Sequence, residues 1–354
     1  QKFLHELQVM AELFGCTTLL LTGARSDADA HYAERTMVDG LLQLTLEANG
    51  SRATRYVELL KHRGSEGLLG RHAFTIGHAG ISVYPRLESQ VGHAPPPARP
   101  PAWISSGGTG LDKVLGGGIA ANSVTGLVGA AGTGKTTLAL QFLAAGASDG
   151  ERSHLLTFGE APDSLRHRGL TERLGFDRLV KSGVLTTEWC PGLETLADCV
   201  AADLLARIRA DAIRRLAIDG IDALTCSLES NSRARWFLSA LCNELRALGV
   251  TTILTSETAD LFGILPDEPA HGYRGFVDSL LLFRYGEREG RLARTLIVPK
   301  QRAGQQGPGI HAYSLSDSGI AIRGAASRTP ARRSAARRRR RPTPVKSRAS
   351  RGRG

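Results

Sequence analysis

Residues 129–137 read "GAAGTGKTT", and this stretch decides the fold. Gly129, Gly134, Lys135 and Thr136 satisfy the spacing G-x-x-x-x-G-K-[ST], in which a glycine-rich loop wraps its backbone N–H groups around phosphate oxygens. The apolar run "SVTGLV" precedes the loop and a helical pattern follows it, which is the context that the motif requires. The sequence therefore predicts a strand–loop–helix unit that binds a nucleotide.

The residue types of this loop predict a role for each position. Lys135 is expected to neutralise the β and γ phosphates of ATP, and the Thr136 hydroxyl is expected to ligate Mg²⁺. Glycine permits the tight curvature of the loop, and the positive end of the following helix adds to the attraction for phosphate. The predicted nucleotide-binding positions all lie in the loop or the first helical turn, and they are Gly129, Gly132, Gly134, Lys135, Thr136 and Thr137.

An acidic residue ends a second apolar run, "RRLAID" at 214–219. A carboxylate at this place can face the phosphate loop and hold a Mg²⁺-bound water, so Asp219 is the second predicted metal residue beside Thr136. The alternative is a helix cap, because Asp is common where a strand turns into a helix. Its neighbour Asp222 is expected to be a solvated or capping residue.

Short apolar runs alternate with helical patterns from residue 104 onward. The runs "SVTGLV", "SHLLTF", "RRLAID" and "TTILTS" have strand character, whereas "TTLALQFLAAGA", "LETLADCVAADLLARIRA" and "SRARWFLSALCNELRALG" have helical spacing. This alternation predicts an α/β fold with a mostly parallel sheet flanked by helices on both faces. Near the end, "VDSLLLFRY", "RLARTLIVPK" and "HAYSLSDSGIAI" predict an antiparallel extension.

The chain contains an internal repeat. A shift of 239 superimposes residues 38–81 on 277–320 without a gap, with 13 of these 44 positions identical, and a shift of 234 relates 3–22 to 237–256. The first copy is only the back half of the domain, because no phosphate loop occurs before residue 90. We therefore predict tandem domains of one type, and a natural polypeptide that is longer at its N-terminus.

Composition predicts four segments. Residues 1–90 form the partial first domain, 91–103 a proline-rich linker, 104–324 the complete ATPase domain, and 325–354 a disordered arginine-rich tail. The tail holds twelve Lys and Arg and no acid, so the net charge of +11 leaves −1 for the rest of the chain. Basicity is thus a property of the tail alone.

The remaining composition excludes several classes of protein. Hydrophobic residues make up 42% of the chain, yet no apolar run reaches the roughly 18 to 20 residues of a transmembrane helix, and no secretory signal is apparent. We expect a soluble, cytoplasmic protein with no transmembrane segment. The five cysteines are scattered without a C-x-x-C pair, which argues against a disulfide framework and a zinc knuckle.

These motifs together resemble the KaiC family of RecA-fold ATPases. The resemblance is carried by "ISSGGTGLDKVLGGGIAANSVTGLVGAAGTGKTTLALQFLAAGA", "LLTFGEAP", "LAIDGIDAL", "TTILTSE" and "VPKQR", and it extends from residue 1 to about 324. It implies a RecA-like P-loop fold and a homohexameric ring, with ATP held between neighbouring subunits.

The resemblance also implies a pair of cations that act on the adjacent subunit. In the family, the Lys and Arg of a K-x-R segment reach the neighbour's nucleotide, and they correspond here to Lys300 and Arg302. Lys61 and Arg63 match them in the first copy, although the loop that they would serve is missing. Without the repeat, a solvated Lys-Arg pair would be an equally good interpretation. His72 and His311 also recur, and we expect them to be structural.

The general base departs from the family pattern. Family members commonly show two adjacent acids after the strand equivalent to "LLTF", whereas this sequence has Gly159 followed by Glu160. Glu160 is the candidate base, because a carboxylate within hydrogen-bond reach of the attacking water suffices. The alternative is a solvated glutamate on a loop. Slow hydrolysis is consistent with either interpretation.

Four functions compete at this point. The first is an ATPase whose nucleotide state switches a self-assembled ring. The second is a Ser/Thr autokinase. Clock members of the family have an adjacent Ser-Thr pair shortly before a strand acid that corresponds to Asp278, but this chain has Arg274 and Gly275 at those positions, which argues against the autokinase. The third is a RecA- or RadA-like DNA machine, which only the tail supports, as a contact for nucleic acid or another polyanion. The fourth is a nucleotide-bound scaffold that scarcely hydrolyses.

Overall fold

A computed structural model describes most of the chain. The described ranges are 2–23, 37–49, 52–64, 66–90, 102–166, 169–191, 196–228, 230–258, 275–288, 291–301 and 309–325. Arg274, Arg302, most of the linker and the tail from residue 326 onward lie outside them. Among the described residues, no helix combines the length and the apolar character needed to cross a bilayer.

The first copy is a helix followed by a four-stranded antiparallel meander. The strands pair in sequence order, and a one-turn helix follows the last of them. The elements are α1 (Lys2–Phe14), β1 (Gly40–Asn49), β2 (Arg52–His62), β3 (Arg71–Gly77), β4 (Gly80–Tyr84) and α2 (Leu87–Gln90).

The second copy is a nine-stranded sheet with helices on both faces. A separate antiparallel pair precedes the sheet, β5 (Trp103–Ile104) and β6 (Ile119–Ala120). The nine strands of the sheet are β7 (Val124–Gly129), β8 (Ser153–Thr157), β9 (Leu185–Trp189), β10 (Arg215–Asp219), β11 (Thr251–Glu257), β12 (Ser279–Arg288), β13 (Arg291–Gln301), β14 (Ile310–Ser316) and β15 (Gly319–Ala325). Its helices are α3 (Leu111–Val114), α4 (Lys135–Ser148), α5 (Pro162–Arg166), α6 (Gly169–Arg173), α7 (Phe176–Lys181), α8 (Ala197–Asp211), α9 (Ile221–Thr225) and α10 (Asn231–Ala247).

The strand order is β15-β14-β13-β12-β7-β11-β10-β8-β9. Strands β12, β7, β11, β10, β8 and β9 run parallel, and β12 to β15 are antiparallel, so the predicted α/β fold with an antiparallel extension is confirmed. The assignment of "VDSLLLFRY" to the antiparallel part alone was incomplete. Strand β12 also pairs in parallel with β7, and it therefore joins the extension to the strand that carries the phosphate loop.

Both faces of the sheet bury apolar side chains. On one face, Phe142 of α4 packs with Leu127 and Phe283 from the sheet, and on the other Phe237 of α10 packs with Leu254. Each large apolar side chain buried in this way contributes roughly 1.5 to 3 kcal/mol. Helices on both faces explain why the central strands read as continuous apolar runs rather than as alternating patterns.

The internal repeat is also a structural repeat. Strands β1 and β2 begin and end at positions that a shift of 239 converts into β12 and β13, and the paired residues Arg55 and Phe74 become the pair Arg294 and Tyr313. The first hairpin of each copy, β1–β2 and β12–β13, has a shift in strand register near the start of its first strand, after Leu41 and after Leu280. The two copies therefore share one strand register.

Equivalent residues differ sharply in exposure between the copies. Leu42 and Leu44 of β1 are 64% and 57% exposed, whereas their counterparts Leu281 and Phe283 of β12 are 0% and 1% exposed. Strand β7 and helix α4 cover β12, and no described element covers β1 in the same way. For the same reason residues 17–23, which a shift of 234 relates to β11, form no strand here.

A buried ionic contact joins the end of the first copy to the second. Leu87 lies in the core beside α8 and α10, and its N–H donates to the Asp198 carboxylate at 3.1 Å. Arg233 forms ion pairs with Asp198 and, at 3.2 Å, with Glu88. Burial raises the pKa of Asp198, and Arg233 opposes that shift. Helix α2 thus packs on the second copy. The boundary of the first domain at residue 90 stays a prediction.

We expect a buried histidine to make folding stability depend on pH. His154 on β8 is fully buried, with Nδ1 2.7 Å from the Thr186 hydroxyl. Burial, with a smaller contribution from Arg207, lowers its pKa to about 4, and Asp211 opposes this shift. In the unfolded chain this histidine has a pKa of about 6.5. Between that pH and pH 4, the unfolded chain binds a proton that the folded chain does not. The free energy of unfolding should therefore keep its full value above about pH 6.5 and be lower by about 2 kcal/mol at pH 5.

Urea unfolding at pH 7.5 and pH 5 measures this loss. The matched variant is His154→Gln, which cannot titrate but keeps a group able to hydrogen-bond to Thr186. The variant should lose less stability than the unsubstituted protein on acidification. An equal loss in both proteins would mean that His154 does not cause the acid sensitivity.

Candidate functional site

The phosphate loop connects β7 to α4 at the carboxyl edge of the parallel strands. At Gly129 a side chain has no room, because a Cβ there would lie 2.2 Å from the carbonyl oxygen of Phe283 on the neighbouring strand β12. Gly134, which precedes the helix, has φ of 101°, and Gly132 has φ of 71°, both in the left-handed region that favours glycine. The three predicted glycines thus meet the steric demands of the turn.

Lys135 is the first residue of α4, and its side chain lies over the loop. Its Nζ donates to the carbonyl oxygens of Gly129 at 2.8 Å and Ala130 at 2.9 Å. Burial lowers the pKa of this ammonium, while the carboxylates of Glu257 and Asp219 act in the opposite direction. A phosphate bound in the loop would compete with the two carbonyls for the same ammonium.

The structure brings Thr136 and Asp219 together, although they are 83 residues apart. The Thr136 hydroxyl lies 3.1 and 2.9 Å from the two carboxylate oxygens of Asp219. Mg²⁺ is commonly bound by one or two protein oxygen ligands together with substrate phosphates, and this donor set fits that pattern. Thr137 is half-buried in the first turn of α4.

A group of three or more His, Cys, Asp or Glu side chains able to hold a metal ion is absent from the described part of the chain.

Sequence reasoning missed two residues at the end of β11. The Thr255 hydroxyl donates to Asp219 at 2.6 Å and accepts from the N–H of Gly220 at 2.8 Å, so it fixes the carboxylate. Glu257 pairs with Gly129 across β11 and β7, which places an acid beside the start of the loop. The run "TTILTSE" shows both residue types, but only the strand order reveals that β11 neighbours β7.

Asp222 lies on α9 and binds the end of β11, whereas it was expected to be solvated or to cap a helix. Its carboxylate accepts from the Ser256 hydroxyl at 2.9 Å and from the N–H of Glu257 at 2.8 Å. These two bonds fix the end of the strand next to the phosphate loop.

The candidate base Glu160 follows β8 in a tight turn. Its N–H lies 3.4 Å from the Thr157 hydroxyl, which in turn donates to the Glu160 carbonyl at 2.9 Å. Phe158, two residues before Glu160, donates its N–H to the Asp219 carbonyl at 3.1 Å, so the turn begins beside the predicted metal residue. A Cβ on Gly159 would meet nothing within 4 Å, so a side chain there would be sterically tolerated. The role of Glu160 stays a prediction.

Lys300 lies away from the phosphate loop of its own chain. It pairs with Leu280 near the start of β12, whereas Gly129 pairs with Phe283 farther along the same strand. Its Nζ donates to the carbonyl of Val277 at 2.6 Å, at the end of the sheet opposite the loop. The structure therefore does not bring Lys300 to Lys135 within one subunit.

The repeated basic and histidine positions have local partners where they are described. Arg302 itself lies outside the described residues, and its counterpart Arg63 forms an exposed ion pair with Asp39 at 3.3 Å. His72 is buried, and its ring nitrogens lie 3.0 Å from the N–H of Arg86 and 3.2 Å from the carbonyl oxygen of Leu68. These contacts agree with a structural role for His72.

The two positions at which an autokinase of this family would be phosphorylated, Arg274 and Gly275, carry no side-chain hydroxyl. Gly275 is exposed, and Arg274 lies outside the described residues. The nearby Asp278 accepts from the N–H of Val124 at 2.9 Å and from Arg246 Nε at 2.8 Å, so it connects the start of β12 to β7 and to α10.

Comparison with known proteins gives concordant results. The family described as "ATPase: KaiC" matches residues 1–88 and 104–327. The circadian clock oscillator protein KaiC of Picosynechococcus sp. is 29% identical over 294 residues, which are 82% of this chain and 55% of that protein. KaiC 1 of Synechocystis sp. is 30% identical with the same coverage, and KaiC of Rippkaea orientalis is 28% identical over 90% of this chain and 61% of that protein.

The chain thus spans little more than half the length of the curated relatives that it matches. The unmatched interval, residues 89–103, coincides closely with the predicted proline-rich linker. None of these comparisons supports contact with nucleic acid.

Proposed function

This chain belongs to the KaiC family of ATPases, and from that premise we propose that it binds and slowly hydrolyses ATP with Mg²⁺ in a self-assembled ring whose conformation responds to the nucleotide. The observation that carries the proposal is the convergence of Lys135, Thr136 and Asp219 at one end of β7. The loop supplies amides and one ammonium for phosphate, and the adjacent pair supplies oxygens for a cation.

Each group of residues in the site has a separate role in nucleotide binding. Backbone N–H groups from Gly132 to Thr136 would bind the phosphates, Lys135 would neutralise their charge, and Thr136 with Asp219 would hold Mg²⁺. When bound, Mg²⁺ would offset negative charge that develops on the phosphate oxygens. Thr255 keeps the Asp219 carboxylate oriented toward Thr136 through its own hydroxyl.

Glu160 is the proposed general base. It lies in the turn after β8, and the strand pairing of β8 with β10 puts this turn next to Asp219. A carboxylate there can accept a proton from a water molecule as that water attacks the γ phosphate. With Gly159 in place of the first family acid, only one carboxylate is available in this turn, which supports slow hydrolysis.

The placement of Lys300 at the opposite end of the sheet supports the proposed ring. Its ammonium cannot serve the loop of its own chain without a large displacement, but a neighbouring subunit could bring its own loop to this edge. The family resemblance implies six subunits in the ring.

ATP hydrolysis by the purified chain, with Mg²⁺ and with the metal removed by EDTA, tests the proposal. Turnover should require Mg²⁺, and Glu160→Gln should lower it by roughly 10²- to 10³-fold while ATP still binds. Glu172→Gln, a matched change of an exposed glutamate on α6, should have no effect. Equal turnover in Glu160→Gln and the unsubstituted protein would exclude Glu160 as the base.

A nucleotide-bound scaffold is the second candidate, and Gly159 favours it. In that case the unsubstituted protein would bind ATP but hydrolyse it no faster than Glu160→Gln does. Because a side chain at position 159 meets open space, Gly159→Glu should then raise turnover without disturbing the fold.

A further inference from the structure

Two tyrosines from the antiparallel extension hold the outer side of the phosphate loop. The Tyr285 hydroxyl, on β12, donates to the carbonyl oxygen of Ala131 at 3.3 Å. The Tyr313 hydroxyl, on β14, donates to the carbonyl oxygen of Thr133. Neither tyrosine lies in the phosphate-loop motif, and each bond connects residues more than 150 positions apart in the chain.

These bonds orient the amides that would bind phosphate. In a planar trans peptide, the C=O of one residue and the N–H of the next point in opposite directions. A carbonyl of Ala131 held outward therefore turns the N–H of Gly132 inward, and a carbonyl of Thr133 held outward does the same for Gly134. Both inward amides belong to the predicted phosphate-binding positions.

We propose that Tyr285 and Tyr313 are positioning residues that fix the peptide planes of the phosphate loop in the orientation that accepts nucleotide phosphates. This inference rests on the proposed function, because it concerns how the same loop binds ATP. It assigns the antiparallel extension a part in nucleotide binding as well as in the core.

The close fit of Tyr285 against the loop supports this role. A Cβ placed on Gly132 would lie 3.0 Å from the Tyr285 hydroxyl, so that hydroxyl lies directly against the loop. Without such bonds, the glycines at 132 and 134 would leave the peptide planes free to rotate. Fixing them beforehand removes an entropic cost from binding.

Tyr313 is well suited to a permanent contact. It is 5% exposed, and its ring packs edge-on against Phe283 with the centroids 5.6 Å apart. Burial raises its pKa, so the phenol remains a protonated donor over the physiological pH range. The aromatic ring fixes the position of the hydroxyl, and the hydroxyl fixes the Thr133 carbonyl.

The first copy provides an internal comparison. A shift of 239 aligns Tyr285 with Leu46 and Tyr313 with Phe74. The strands and their register are the same in both copies, yet the two hydroxyls occur only in the copy that carries a phosphate loop. A purely packing role would not require them, since Phe74 is buried without one.

ADP titration by calorimetry tests the proposal with three variants. Tyr313→Phe keeps the ring and removes only the hydroxyl, and it should weaken ADP binding by about threefold to tenfold, the effect of one lost hydrogen bond to a buried carbonyl. Tyr285→Phe, nearer the surface, should weaken binding in the same direction. The control is Tyr56→Phe, an equally buried tyrosine in the copy without a loop, which should bind ADP normally.

Melting without nucleotide separates positioning from folding. If Tyr313→Phe does not fold, Tyr285→Phe decides the question, because its hydroxyl lies at the surface. Normal ADP affinity in both folded variants would overturn the inference while leaving the proposed function intact. Failure of the unsubstituted protein to bind ADP would instead contradict the proposed function.

Discussion

Replacing Lys135 with alanine is expected to abolish ATP binding by this chain. The side chain is 8% exposed and lies over the carbonyls of Gly129 and Ala130, where the phosphates of ATP would lie. At an effective dielectric of about 20 and a separation of roughly 4 Å, one such charge contact contributes on the order of 4 kcal/mol. Its loss alone would weaken binding by roughly a thousandfold.

The Lys135→Ala variant should fold, because alanine favours the first turn of a helix and α4 keeps its buried apolar face. Lys113→Ala, a change of an exposed lysine in the same domain, is the matched control and should bind ATP normally. Equilibrium titration with a fluorescent ATP analogue measures both. Unchanged affinity in Lys135→Ala would overturn the assignment of the loop.

The second large effect is expected from the combined change Lys300→Ala and Arg302→Ala. Cations delivered to a neighbour's nucleotide accelerate phosphoryl transfer by about 10³- to 10⁵-fold, which corresponds to roughly 4 to 7 kcal/mol of barrier. Turnover should fall by that factor. The phosphate loop itself stays intact, because Lys300 contacts Val277 at the far end of the sheet, so ATP should still bind.

The internal repeat supplies the control for this experiment. Lys61→Ala with Arg63→Ala changes the equivalent pair on the copy that has no phosphate loop in this chain, and its turnover should match that of the unsubstituted protein. Measurement of kcat and ATP affinity for both double variants separates loss of chemistry from loss of binding. Turnover that is insensitive to Lys300 and Arg302 would contradict their assignment.

Motifs with fixed local spacing were predicted well from the sequence. The phosphate loop needs only nine consecutive residues, and the contact between Thr136 and Asp219 followed because the ends of parallel strands converge at one edge of a sheet. The runs "VDSLLLFRY" and "RLARTLIVPK" also located β12 and β13 to within a few residues at their ends.

Contacts that depend on strand order could not be predicted in the same way. Thr255 and Glu257 reach the site only because β11 neighbours β7, and Tyr313 only because β14 brings its side chain to the loop. Periodicity identifies strands but does not order them. The exposed Leu42 and Leu44 likewise could not be foreseen, because the repeat compares residues and not the elements that cover them.

The central claim is that ATP is bound between subunits, with one subunit providing the phosphate loop and its neighbour providing Lys300 and Arg302. Mixing Lys135→Ala protein with the Lys300→Ala, Arg302→Ala protein tests it most directly, because each is inactive alone. In mixed rings, about a quarter of the interfaces would combine an intact loop with intact cations, so ATP turnover should recover to about a quarter of the unsubstituted rate. A mixture that remains as inactive as its components, although light scattering shows that the two proteins assemble together, would contradict the account.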